Sequence, residues 1–391
     1  MNIRVYLLAL SAFVVGMVEL VIGGILPMIS EDLGVSISAA GQLITVFAFV
    51  LAVAGPLMLV ITAKIERKRL YIWMLLFFFI GNLLSFISPN FAWLMAARLF
   101  TAVSASLITV MSLTIAPKLV DKQYQARAIG AIYMGISSSL VLGVPIGVLI
   151  GEQFGWRAPF LFIAVLTLIA MIVLGRFMPA LMPEKLVPIR QQAASLRNLK
   201  LLSAHLVTVL MLAGHYTVYA YFNPFLQSTL HLDAFWISAA YFVFGLAAVS
   251  GGAVGGWLSD RLDAAKSMII VVAAFAMTLF LLPAAAQSIY IFPFALIAWG
   301  MLSWAISPPQ QSYLIQAAPE TASIQQSINN SALQLGIALG SAVGGAVANV
   351  YPVTYNPWFG GALVLLALGF AVYSVTRPAH AASVKSAETR I

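Results

Sequence analysis

About twelve apolar runs follow one another between residues 5 and 376, each long enough to cross a bilayer as a helix, and they leave this chain little freedom of fold class. They lie near 5–27, 39–62, 70–88, 91–116, 127–151, 158–178, 202–227, 234–258, 267–286, 289–316, 322–350 and 357–376. A spanning helix needs about 20 mostly apolar residues at a rise of about 1.5 Å each. Because hydrocarbon offers no water, every backbone N–H and C=O must be satisfied within the protein, so the runs read as packed helices. The chain of 391 residues is 62% hydrophobic and 8% charged, against about 25% charged in a soluble domain. An all-α membrane protein of twelve transmembrane helices is expected.

Several function classes fall away. Zero cysteines exclude a disulfide framework and Cys-ligated metals, and four scattered histidines offer no ligand spacing, so neither metal nor cofactor is expected. A net charge of +8 would suggest nucleic acid in a soluble protein, but here the cations sit in short loops between apolar runs. No nucleic-acid partner is expected. The chain carries no G-x-x-x-x-G-K-S/T phosphate loop and no cluster of nucleophile, base and oxyanion donors, so neither an ATP-driven machine nor an enzyme is expected.

The cations set the orientation. Placing the N-terminus inside puts Arg4, Lys64, Arg67, Lys68, Arg69, Lys118, Lys122, Arg127, Arg176, Lys185, Arg190, Arg197, Lys200, Arg261, Lys266, Arg377, Lys385 and Arg390 on one side. The other side keeps Arg157 with Glu31, Asp32, Glu152 and Asp233. By the positive-inside rule both termini are cytoplasmic, in a plasma (inner) membrane, with Trp93, Trp156, Trp236 and Trp358 forming an outer interfacial belt. The proline-bearing, basic stretch 179–200 reads as a cytoplasmic linker between six-helix units at 1–178 and 201–376, followed by a tail at 377–391. The units echo each other: Lys64 after the second run corresponds to Arg261 after the eighth, and the glycine-rich fifth run to the eleventh. A weak parallel repeat of this kind marks transporters with two bundles around a central site.

Within this frame a few polar residues stand out. Glu19 lies inside the first run, which is too long for a signal peptide and ends in Pro27 without a small-residue cleavage site. A charge at such a position costs at least ~2.5 kcal/mol, so it normally faces a bundle interior or a wet cavity. Arg98, in the fourth run, falls at about the same depth, roughly 10 to 12 Å below the outer surface, where the two could pair. A carboxylate between a cation and a desolvating wall can change protonation as hydration changes. The alternative is a static buried pair. His215, Tyr216 and Tyr219 in GHYTVYAYFNPF combine apolar rings with hydrogen-bonding tips, as a mixed-polarity pocket wall requires, and Asn330 is a further candidate; packing is the competing role for each. Asn82, Gln310, Gln311, Asn329 and Gln334 read as interhelical glue. Gly143, Pro145 and Gly147 allow close contact and a bend in the fifth run, Pro308 and Pro309 should break the tenth, and Gly256, Asp260 and Arg261 form a G-x-x-x-D-R loop that could latch to a neighbouring helix end.

With VELVIGGILP, AKIERKRL, LMAARLF, LGVPIG, GWR and GHYTVYAYFNPF, the chain resembles the major facilitator superfamily over essentially its whole length, and within it the drug and sugar efflux branch of proton antiporters. The resemblance implies two six-helix bundles around a central cavity and a monomeric, proton-coupled antiporter exporting a small organic solute such as a drug, sugar or nucleobase, a class associated with multidrug resistance. Glu19 would carry the proton with Arg98 as partner, and His215, Tyr216, Tyr219 and Asn330 would line the substrate site. An uptake symporter or facilitator of the same fold, or a receptor that binds without turnover, are the alternatives. The chain departs from the family loop G-x-x-x-D-R-x-G-R-R/K, which here reads Leu59, Ala63, Lys64, Glu66, Arg67, Lys68, without the expected glycines and aspartate.

Overall fold

The computed structural model describes residues 3–182 and 195–377, and these are helical with short turns. The proposed linker cations Lys185 and Arg190 and the tail cations Lys385 and Arg390 lie outside the described residues. The first half holds α1 (Ile3–Asp32), α2 (Ile37–Ile61), α3 (Arg67–Phe86), α4 (Phe91–Ile115), α5 (Gln125–Ser138), α6 (Val144–Phe154) and α7 (Ala158–Phe177). The second holds α8 (Leu199–Tyr219), α9 (Phe222–Leu230), α10 (Ala234–Leu262), α11 (Ala264–Ala285), α12 (Phe292–Ala305), α13 (Ser307–Ala317), α14 (Ala322–Val350) and α15 (Asn356–Thr376).

Short polar side chains start these helices. Ser36, Asn90, Asn198 and Asp233 each accept a hydrogen bond from a backbone N–H in the first turn of α2, α4, α8 and α10, filling donors that have no intrahelical partner. Among the described residues 11 helical segments are long and apolar enough to span a membrane. The remaining expected span, 289–316, is two shorter pieces, α12 and α13, that part at Ile306, just ahead of Pro308 and Pro309. Proline has no N–H and its ring crowds the preceding turn, so the break falls where the sequence places it. The fifth span is also irregular: a π-helical turn, Ser139–Gly143, joins α5 to α6.

In the first half α1 is central, packing on α2, α4, α5, α6 and α7; in the second, α8 lies along α14 and α15, and α10 along α12. One face of the molecule carries most of the cations and the other carries Glu31, Asp32, Arg157 and Asp233. On the basic face Glu66 occupies a glycine position of the family loop and has local work. Its Oε1 accepts from the backbone N–H of Lys68 and of Leu181, and its Oε2 from that of Arg69, each at 2.9 Å. Burial pushes this carboxyl up, and the three backbone donors outweigh it, holding Glu66 below its usual range. The loop is therefore tied down by a carboxylate cap.

On the opposite face, the GWR motif is a clamp. Arg157 donates through Nη1 to Asp32 Oδ2 at 2.7 Å and through Nε and Nη2 to the Ser88 carbonyl, while Trp156 Nε1 donates to the same Asp32 oxygen at 3.0 Å. The ends of α1, α3 and α7 are thereby joined. Trp93, Trp236 and Trp358 are exposed, as an interfacial belt requires, but Trp156 is buried because its indole N–H is spent on Asp32.

The hydrogen bonds that join the two halves among the described residues lie from mid-membrane to this opposite face. Asn223 donates to the Gly24 carbonyl, Ser238 to the Pro145 carbonyl at 3.0 Å, and Ser341 to the Gly41 carbonyl at 3.0 Å. The Tyr221 phenol is fully buried between α2 and α14, donating to the Ser341 carbonyl at 3.0 Å. It fits because Gly41 has no side chain: a Cβ there would overlap the phenol oxygen, and one on Gly345 would sit 2.6 Å from it. Small residues let helices approach closely where lipid gives no hydrophobic drive. The natural absence of cysteine makes the seam testable. In purified protein carrying Ser38→Cys, a maleimide should label the thiol slowly, and adding Gly41→Val should speed labelling severalfold; an unchanged rate would show that the Tyr221 seam does not hold the halves together.

Candidate functional site

Halfway along α1, Glu19 is only half-buried although protein surrounds it, so its carboxylate fronts an internal, water-accessible space. Arg98, from α4, is 0% exposed. Its Nη1 donates to the Val18 carbonyl at 2.9 Å, and the guanidinium carbon lies 4.0 Å from the centroid of the Phe47 ring of α2. Its Nε and Nη2 have no hydrogen-bond partner among the described residues. A buried cation is tolerable in a membrane only with compensating groups, and here one carbonyl, one ring face and the field of Glu19 supply them.

The expected pair of Glu19 and Arg98 is an electrostatic one without contact. Among the described residues the ion pair within 4.0 Å is Arg157 with Asp32. Arg98 holds the carbonyl next to Glu19 instead, because α1 turns that carbonyl toward α4 while the Glu19 side chain faces the central space. From α14, Gln334 interacts with the Glu19 carboxylate, and its own Oε1 has no hydrogen-bond partner among the described residues. Gln334, expected as interhelical glue, and Phe47, which stood out as no candidate, belong to this centre. Gln334 carries a sequence signal as an amide isolated in an apolar run, whereas an apolar ring carries none.

Of the four pocket candidates, Tyr216 is one that feels the charge of Glu19. His215 lies in an aromatic cluster with ring contacts to Tyr216, Tyr219, Phe244, Phe275 and Trp299, and its Nδ1 accepts from Trp299 Nε1 at 3.2 Å. The Tyr219 ring stacks on His215 within the same cluster and is buried. These two therefore pack the second half and present little surface to a solute, because α8 turns their rings toward α10 and α12. Asn330 is exposed, one helical turn before Gln334 on the same face of α14. Its neighbour Asn329 faces α8 and accepts from Thr208 Oγ1 at 2.6 Å, beside a bond between His205 and Gln325 at 2.9 Å.

The expected structural motifs divide. Gly143 and Gly147 face α1, where added Cβ atoms would press on Met17 and Val21, and Pro145 follows the π-helical turn and offers its carbonyl to Ser238. Gly256 has open space around it. Asp260 and Arg261 are exposed and bond to no neighbouring helix among the described residues; Arg261 lies over the Trp257 ring at 5.0 Å. The expected latch is not formed, because a tryptophan one turn earlier on the same helix offers the cation a nearer partner.

A bundle of apolar helices around one carboxylate and one fully buried guanidinium describes a membrane transporter, and the comparisons with known proteins agree. Residues 8–340 match the Major Facilitator Superfamily, and the chain belongs to that family. It is 33% identical over 365 residues to the uncharacterized MFS-type transporter YbcL of Bacillus subtilis, covering 93% of this chain and 94% of that one. It is 30% identical over 337 residues to the inner membrane transport protein YdhP of Escherichia coli, covering 86% of each. In fold it is similar to a bacterial homologue of the human lysosomal transporter Spinster in an inward-facing and occupied conformation, at a TM-score of 0.74 and 14% identity over 94% of this chain and 96% of that one.

Two substitutions separate site from scaffold. Arg98→Ala should abolish transport in proteoliposomes, whereas Arg157→Ala should keep transport but lower the melting temperature by a few degrees through loss of the clamp. The reverse pattern would remove Arg98 from the mechanism. His215→Phe should cost about 1 to 3 kcal/mol by stranding the Trp299 N–H, seen as an earlier denaturant midpoint, and leave the pH dependence of transport unchanged.

Proposed function

We propose that this transporter is a proton-driven exporter of a small organic solute, in the drug and sugar efflux branch, with Glu19 as the proton carrier and Arg98 as its electrostatic partner. The observation that carries the proposal is a water-accessible carboxylate at mid-membrane, held beside a guanidinium that it does not touch. Such a carboxylate has two states of similar cost: ionised, attracted to Arg98, or protonated, relieved of desolvation. Each state favours a different arrangement of α1 against α4, which is what coupling requires.

The basic face is taken as cytoplasmic, following the distribution of Lys and Arg. Loading from that side is supported by the seam at the opposite face and by Asn330, an exposed amide that would be costly against lipid and is natural in a wet opening. A solute entering there would meet Asn330, then Gln334 with its spare acceptor, then Glu19 and Tyr216. Solute and proton would compete for the space around Glu19. Proton arrival from outside would then expel the solute, and proton release to the cytoplasm would reset the site.

The deciding measurement is gradient-driven accumulation in proteoliposomes. Glu19→Gln keeps the shape and most of the hydrogen bonding of a protonated glutamate but cannot lose a proton. It should abolish uphill transport driven by a proton gradient while leaving solute binding and downhill exchange largely intact. Undiminished uphill transport would overturn the proposal. Driving wild-type protein with gradients of each sign separates export from uptake with protons, and a flux indifferent to the gradient would identify a facilitator.

A further inference from the structure

On the same face of α1 as Glu19 stands Gly23, four residues on and about 6 Å nearer the face that carries Asp32. Oxygens gather around this bare turn. From the position a Cβ would take on Gly23, the carbonyl oxygens of Tyr219 and Ala220 lie at 3.4 Å and the Tyr241 hydroxyl at 3.7 Å. Pro224 has no N–H to offer the Ala220 carbonyl four residues before it. Asn223, at the start of α9, spends its Nδ2 on the neighbouring Gly24 carbonyl. Elements α8, α9 and α10 of the second half thus meet α1 of the first half one helical turn outward of the carboxylate.

These groups are enclosed and unsatisfied. Tyr219, Asn223 and Tyr241 are 2%, 1% and 0% exposed, and the two phenol oxygens and Asn223 Oδ1 have no hydrogen-bond partner among the described residues. The rings of Tyr219 and Tyr241 meet edge to face, with centroids 5.8 Å apart. Burying polar groups without partners is costly, and parting the helices gives them water, so this corner of the seam favours its own opening. Each hydroxyl can accept from one neighbour while donating to the next. Glu19 faces Arg98 from α4, Gln334 from α14 and Tyr216 from α8, and His215 borders the collar, stacked on Tyr219 with its Nδ1 held by Trp299.

We propose that Tyr219, Asn223 and Tyr241 form the outer gate of Glu19. Closed, as here, the gate has Asn223 bridged to α1 and the phenol of Tyr241 set against Gly23. When the seam parts, water enters between α1 and α10 and hydrates the three side chains. A proton from outside then passes along water and hydroxyls, each oxygen taking up one proton as it gives up another, and ends on the ionised carboxylate of Glu19. The delivery of a proton rests on Glu19 as the carrier; the gate itself does not.

The test exploits the absence of cysteine from the chain. Glu19→Cys places one thiol at the inner end of the route, and an impermeant methanethiosulfonate is added to right-side-out or to inside-out membrane vesicles. The thiol should be labelled from both sides, more slowly from outside. Adding Tyr241→Phe or Tyr219→Phe removes a hydroxyl that has no partner in the closed gate, so the closed gate gains; outside labelling should slow about tenfold and inside labelling should not slow. Gly23→Ala tests the route without touching the tyrosines: its methyl meets its neighbours at ordinary contact distances in the closed gate and narrows the way in, so outside labelling should slow again. Tyr221→Phe, which removes a bonded phenol from the other seam, should not slow it. No outside labelling of Glu19→Cys, rates unchanged by all three gate substitutions, or equal slowing from both sides overturns the proposal. The carrier role is judged separately by uphill transport in Glu19→Gln: if that persists while the labelling pattern holds, the gate stands and proton delivery to Glu19 falls.

Discussion

A guanidinium in the middle of a membrane has to be answered by the protein around it, and the answer given to Arg98 organises the centre of this molecule. The Val18 carbonyl already accepts within α1 and uses its second lone pair for Nη1, while Phe47 offers a ring face from α2. Three helices are thus drawn to one point. Because the carbonyl belongs to the residue before Glu19, the geometry of the cation and the position of the carboxylate are set by the same turn of helix. Movement of α1 against α4 alters both together, and that linkage is what a proton-coupled cycle would use.

The two faces of the molecule are built on different chemistry. Toward the opposite face, glycines and serines let backbones of the two halves come close enough for the side chains of Asn223 and Ser341 to bond across and for Tyr221 to pack against Gly41. These bonds are few and each involves a neutral group, so the seam can open without stranding a charge in hydrocarbon. Toward the basic face the face of α14 that carries Gln334 continues into exposed Asn330. Polar side chains there need water.

Departures from the family loop are compensated locally. Glu66 supplies a cap for α3 and a tie to Leu181. In the corresponding loop of the second half the Asp260-Arg261 pair is kept, yet Arg261 lies on Trp257 and Asp260 faces outward. A motif therefore reports where a loop is more securely than which contacts it makes.

What the sequence by itself determined is the layer that depends on local physics. Apolar length sets the spans, Pro308 and Pro309 set the break in the tenth, the short polar caps set where helices start, and Glu19 and Arg98 stand out because charge in an apolar run has few innocent explanations. Only the tertiary structure decided which way each side chain faces. His215 and Tyr216 are neighbours in sequence, about 100° apart around a helix. One is enclosed by aromatic rings and the other, at the edge of that cluster, feels the charge of Glu19. Glu19 and Arg98 match in depth, but depth along two helices does not fix their rotation, so contact between them could not be read from spacing. Gln334 and Phe47 join the centre, and Tyr221 finds its slot, because helices distant in sequence pack at particular rotations. That rotation depends on the shapes of many apolar side chains at once, which no short stretch of sequence records.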